Sequence, residues 1–212
     1  MAAYTRRLAA YTPAQNKPVT EIAIFKLNPE FALDHAAAAV EFESQVVQQT
    51  APGKTYAKGI RRISWGFSRN DPETFVWMLD WDKIQDHWEF WQTPGFQPVS
   101  NTISKMFKPG RPLVRHYDFG GQGMIEAPWV RLFVFDEKSG GTTPETARAK
   151  VLKTDASTTM TARQAYAVDL DETTWYCLLL GYDSEIAAAK EQVHTELSGE
   201  DHVIELKYSS QP

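Results

Sequence analysis

The chain has 212 residues, 42% hydrophobic and 23% charged, with a formal net charge of −5. These values describe an ordinary globular protein with room for one large domain or two small ones, and the acidic balance argues against a nucleic-acid partner. The single cysteine, Cys177, excludes an internal disulfide and a metal site built on several thiolates, and no apolar stretch is long enough to span a bilayer.

Residues 1–18 carry Arg6, Arg7 and Lys17, with no acid before Glu21 and no apolar core of a secretory signal. They are expected to be a polar tail, and the default compartment is cytoplasmic. A strand is predicted over 19–27, with Ile22 and Ile24 on one face and Ala23, Phe25 and Leu27 on the other; both faces are apolar, so both should be buried. An alanine-rich helix is predicted over 31–49, uninterrupted by Gly or Pro. A second strand follows over 58–68, placing Arg61, Ile63, Trp65 and Phe67 opposite Ile60, Arg62, Ser64 and Gly66. Asn70-Asp71-Pro72 then joins it as a hairpin to a third strand over 73–81.

Asp82, with Gln85 three residues on, has the pattern of a capping box opening a helix that runs to about residue 91, where Pro94-Gly95 stops it. A short helix over 99–106 and a fourth strand over 113–119 complete a β-α-β-β-α-β order, the ferredoxin-like arrangement. Gly120-Gly121-Gln122-Gly123 reads as a flexible connector. No Lys-Ser/Thr follows it, so it is no phosphate loop.

The order then repeats: a strand over 129–135, a short helix over 144–152, a hairpin of 161–170 and 173–182 around Asp171-Glu172, a helix over 184–197 and a last strand over 202–208. The run Phe75–Asp82 and the run Tyr176–Asp183 share an apolar stretch, an aromatic and a closing Asp in the same order. The fold class expected is therefore α+β: two tandem ferredoxin-like βαββαβ units packed sheet to sheet as a pseudo-dimeric α+β barrel. The organisation is a tail (1–18), a first unit (19–119), a linker (120–127) and a degenerate second unit (128–208). Five of the seven tryptophans lie between Trp65 and Trp91, so the first unit should carry the pocket and the second should support it.

Strand 73–81, followed by Trp81-Asp82-Lys83-Ile84-Gln85-Asp86-His87-Trp88 and Thr93-Pro94-Gly95-Phe96, resembles the dimeric α+β barrel superfamily. The likeness is to antibiotic-biosynthesis monooxygenase-like (ABM-like) and EthD-like proteins, with the flavour of fungal members built from two tandem units. It covers 19–119 well and 128–208 by element order. The resemblance implies a pocket between a sheet and its helices, and chemistry of secondary-metabolite type: cofactor-free oxygenation of aromatic polyketides, cyclisation, decarboxylation, isomerisation or haem handling. In the superfamily's plant polyketide cyclases a similar Ile-Gln-Asp-aromatic helix carries a catalytic tyrosine. His87 stands at that position here, and the cyclases' helix-flanking histidine falls near Phe96.

His87 is the first candidate for chemistry. Ile84, His87, Trp88 and Trp91 share one helical face, and an inward histidine beside a pocket can act as a general acid or base near neutral pH. The alternative is a core histidine satisfied by backbone or water. His116 lies with Val114 and Asp118 on one strand face and pairs with His87 if that face lines the cavity. Asp80 is either a third catalytic group or the ion-pair partner of Arg62 across the hairpin. Trp65, Trp77, Trp88, Trp91, Phe96, Tyr56 and Arg62 are the candidate substrate contacts, since aromatic walls suit flat apolar ligands. Cys177, in an apolar run, reads as a small hydrophobe. His35, His194 and His202 carry little weight.

The expected function is a small-molecule enzyme working without a cofactor, by histidine-assisted proton transfer on an aromatic or polyketide-like molecule. A non-catalytic carrier of a hydrophobic ligand, or stress-response barrel protein, is the second reading, and a haem-binding protein the third. No metal is expected, because the histidines are scattered. The expected partner is a small apolar or aromatic molecule, with neither nucleic acid nor membrane. The chain should be a monomer with an internal pseudo-dimer, or a homodimer.

Overall fold

The computed structural model describes residues 15–110, 112–139, 161–170, 172–190 and 199–210. The predicted helix 144–152, His194, Asp171 and most of the N-terminal tail lie outside them.

Strand β1 (Val19–Lys26) is buried on both faces, as its double apolar alternation requires. It pairs antiparallel with β3 (Thr74–Trp81) and β4 (Leu113–Tyr117), and β2 (Ile60–Phe67) lies on the far side of β3. The order is β4-β1-β3-β2. In the second half β5 (Trp129–Asp136), β6 (Thr161–Tyr166), β7 (Trp175–Tyr182) and β8 (Gly199–Glu205) form a sheet in the order β8-β5-β7-β6, the same arrangement. The chain is thus two ferredoxin-like units in tandem.

The two sheets face each other. Ile22, Ile24, Val76 and Met78 from the first pack with Val130, Leu132, Leu179 and Ile204 from the second in one buried cluster. Bridges at the sheet edges join the halves: Tyr117 pairs with Ala167, and Ser68 with Ile204. The predicted last strand is in fact two. The chain leaves β8 at Leu206 and continues as β9 (Lys207–Ser210), which pairs with β2 and extends the first sheet to five strands. Gly66 permits this crossing, because a Cβ there would lie 2.3 Å from the Glu205 carbonyl oxygen. Cys177 is fully buried between the sheets, where desolvation pushes its thiol pKa up, as befits a small hydrophobe.

Helices α1 (Pro29–Leu33), α2 (His35–Phe42), α3 (Ile84–Phe90) and α4 (Phe96–Met106) belong to the first unit. They supply Phe31, Phe42, Ile84, Trp88 and Val99 to a cluster with the outer face of the first sheet. In the second unit α5 (Glu185–Lys190) contributes Ala188 to a smaller cluster.

Three local expectations are corrected. The helix expected over 31–49 breaks at Asp34 (φ −135°), whose carboxylate caps Ala37 N–H to start α2, and α2 then widens into a π-helical turn over Glu43–Val47. A bulge between Ile60 and Arg62 turns Ile60 to the helix-facing side with Ile63 and Trp65, against simple alternation. Asp82 does not cap α3: it is salt-bridged to Arg61, and Lys83 occupies the cap position with no side-chain capping bond.

Candidate active site

The outer face of the first sheet presents Glu21 and Ala23 from β1, Trp77, Leu79 and Trp81 from β3, and Val114 and His116 from β4. Helix α3 brings His87 over this face, and Trp91 follows at the helix end. Together with Phe90, Phe96, Val99 and Ile103 they enclose a cavity of about 250 Å³, apolar on most sides and polar at one end. That volume is just below the roughly 300–1,000 Å³ usual for ligand pockets, and it suits a compact, flat molecule.

The polar end is a chain of hydrogen bonds. His87 Nδ1 lies 2.9 Å from His116 Nε2. His116 Nδ1 lies 2.7 Å from Asp169 Oδ1, and the His116 backbone N–H donates to Asp169 Oδ2 at 2.6 Å. An ionised Asp169 accepts only, so His116 Nδ1 carries the hydrogen. In the neutral pair His116 Nε2 then accepts from His87 Nδ1–H. This leaves His87 Nε2 as the ring nitrogen without a hydrogen bond among the described residues. Glu21 stands beside the pair. Its Oε2 accepts from Trp81 Nε1 at 2.8 Å and lies 3.5 Å from His87 Nδ1. The His87 ring is stacked on Trp81 and meets the edge of Trp91.

Both histidines are buried, yet their pKa values move in opposite directions. Burial, aided by the neighbouring charge of His116, pushes His87 well below its usual value. Burial also acts to lower His116, but the charge and hydrogen bond of Asp169, with Glu21, outweigh it and hold His116 above the usual value. Burial raises the Glu21 carboxyl. Burial opposes ionisation of Asp169, but His116 and Arg115 overcome it and hold its carboxyl below the usual value.

Asp169 comes from the second unit. It follows β6 in the loop that bridges to β4, where Val168 N–H donates to the His116 carbonyl at 2.9 Å. Arg115, on the opposite face of β4 from His116, anchors that loop. Its Nε is 2.6 Å from Glu172 Oε2, and its guanidinium sits 3.6 Å above the Trp175 ring.

Of the residues singled out from the sequence, His87, His116, Trp77, Trp91 and Phe96 meet at this cavity. Asp80 does not. It faces the other side of the sheet, where it accepts from Arg62 Nε at 2.9 Å and Nη2 at 2.8 Å, from Thr20 Oγ1 at 2.7 Å and from Met124 N–H at 2.9 Å. Arg62 also donates to the Met124 carbonyl. The glycine-rich connector is therefore pinned onto this ion pair, and Gly123 (φ +69°) lies against Asp80 where a Cβ would clash. Trp65 is buried among Phe42, Phe67 and Phe75, Trp88 is buried elsewhere in the same core, and Tyr56 covers Gly95 at the surface. His35 stacks on Phe67, and the buried His202 is held by Ser68 and Glu200.

Two members of the polar cluster escaped the sequence reading. Glu21 carried a visible signal, a lone carboxylate on an otherwise apolar strand face. Asp169 carried none, being one acid among several in a hairpin loop.

No family model matches the chain, and no curated protein matches it in sequence. Solved structures do. An anthrone oxidase-like protein superimposes with a TM-score of 0.60 at 11% identity, covering 93% of this chain and 96% of its own. A candidate monooxygenase from Fusobacterium nucleatum gives 0.59 at 11% identity over 92% and 95%. A candidate chlorite dismutase gives 0.55 at 7% identity over 90% and 95%. What is shared is the fold. The arrangement of two tandem α+β units found in those structures runs through nearly the whole chain. Among the described residues no helix is long and apolar enough to cross a membrane.

Proposed function

We propose that the protein is a small-molecule enzyme that removes a proton from an aromatic, polyketide-like substrate bound in the first unit, 19–119, with the second unit, 128–208, in support. The observation that carries this reading is the buried His87–His116–Asp169 chain ending on an aromatic-walled cavity. Above the raised pKa of His116, where the pair is neutral, the substrate proton goes to His87 Nε2, and His87 Nδ1 passes its own hydrogen to His116 Nε2. The positive charge comes to rest on His116, where Asp169 stabilises it, and not on His87, where burial penalises it. The histidines act as a relay, and Asp169 is a positioning residue.

Trp77 lines the cavity with its ring, while its indole N–H is buried and has no acceptor among the described residues. Proton removal, the first step, needs no resident cofactor and is common to cyclisation, rearrangement and oxygenation. The names of two fold relatives, an anthrone oxidase-like protein and a candidate monooxygenase, favour oxygenation. In that case the carbanion reduces dioxygen, and a ring CH2 with O2 becomes C=O with water. Two units that close a barrel within one chain support a monomer.

The test is oxygen uptake and product formation with anthrone as the probe. Wild-type protein should turn it over, and His87→Ala should lower kcat at least about 100-fold without changing the far-ultraviolet circular dichroism. Unchanged turnover in His87→Ala defeats the assignment. A wild type that binds anthrone without turning it over favours the carrier reading.

A further inference from the structure

We infer that Glu21, His87 and His116 form a binding site for a divalent first-row transition-metal ion that switches the relay off. It rests on the same cavity as the proposed activity, but on the donor geometry and not on turnover. One ligand atom from each of Glu21, His87 and His116 lies within 4.8 Å of the other two, and all three residues are buried. The separations from His87 Nδ1 are 2.9 Å to His116 Nε2 and 3.5 Å to Glu21 Oε2. With metal–ligand bonds of about 2.1 Å, those spans subtend angles of about 90° and 110°, within the range of octahedral and tetrahedral sites. Two imidazoles and one carboxylate form a donor set that suits Zn²⁺, Fe²⁺ or Co²⁺ and disfavours Mg²⁺ and Ca²⁺.

The surroundings have the form of a metal site's support. His116 gives its other ring nitrogen to Asp169, the carboxylate–histidine pairing that fixes a ligand's tautomer and orientation. Trp81 Nε1 donates to the ligating oxygen of Glu21 and fixes that side chain too. All three ligand residues line the cavity. Bound metal replaces the hydrogen shared by the two histidines. An imidazole ligated at Nδ1 keeps its hydrogen on Nε2, so His87 loses the lone pair with which it would accept the substrate proton. Metal binding and base catalysis are therefore alternatives at one pair of nitrogens.

Chelator-treated protein titrated with Co²⁺ should take up one equivalent with visible d–d bands, and Zn²⁺ should displace it and suppress anthrone turnover. The near-isosteric Glu21→Gln and the variant His116→Ala should each weaken Co²⁺ binding at least about tenfold. Asp169→Asn should weaken it by about 10–100-fold, and the surface variant His35→Ala should leave it unchanged. Saturable binding that ignores Glu21→Gln and His116→Ala, or no binding at all, overturns the site. Loss of turnover in His87→Ala alongside absent metal binding overturns the metal site alone. Tight, Glu21-dependent binding with turnover unaffected by His87→Ala upholds it while the relay falls.

Discussion

At the scale of single residues, burial and partner decide what each candidate does. His87 and Asp80 were both carboxylate-or-imidazole candidates near the end of the same strand-helix segment, and the structure separates them completely. His87 has a ring nitrogen left over at a cavity. Asp80 has four donors around it and does not line that cavity. Asp80→Ala would take its nearest carboxylate from the Arg62 guanidinium, which is 18% exposed and keeps only Glu126 at 3.5 Å and the Met124 carbonyl, and would release Met124 N–H. It should lower stability by about 3–5 kcal/mol, read as a shift in urea midpoint at unchanged m-value, while leaving the His87 cluster chemically intact. His87→Ala should show the reverse pattern, a large loss of kcat for a smaller loss of stability.

At the scale of elements, strand alternation was readable wherever one rule governed the strand. The two-faced burial of β1 and the placing of His116 opposite Arg115 and Tyr117 both followed from period-two patterning. Reading failed where a single residue broke the rule. Asp34 stops α1 without any Gly or Pro, because its carboxylate offers the next turn's N–H a competing partner. The β2 bulge moves Ile60 from one face to the other, which alternation by construction cannot foresee. Gly66 is the element-scale residue most open to test. Its missing side chain lets β8 hand the chain over to β9 across β2, and the neighbour in the way is backbone and cannot rotate aside. Gly66→Ala should destabilise by about 1–3 kcal/mol, measured by thermal unfolding, with β9 losing amide-exchange protection first.

At the scale of the whole molecule, the second unit does more than close the barrel. Its loop delivers Asp169 to His116, and Arg115 holds that loop from the opposite face of β4 through Glu172 and Trp175. Arg115→Met should therefore lower kcat about tenfold to a hundredfold although Arg115 does not line the cavity. KM for anthrone should change little, a split that a general loss of packing would not produce. The amino-acid order alone was enough to establish the tandem ferredoxin-like sheets, the apolar strand faces and the inward helix face carrying His87, because each depends on spacing between near neighbours. The meeting of Glu21, His87, His116 and Asp169 was decided by tertiary structure. These residues are joined only through sheet register and through contact between the two halves, and no local pattern in a chain records which distant loop will land on which strand edge.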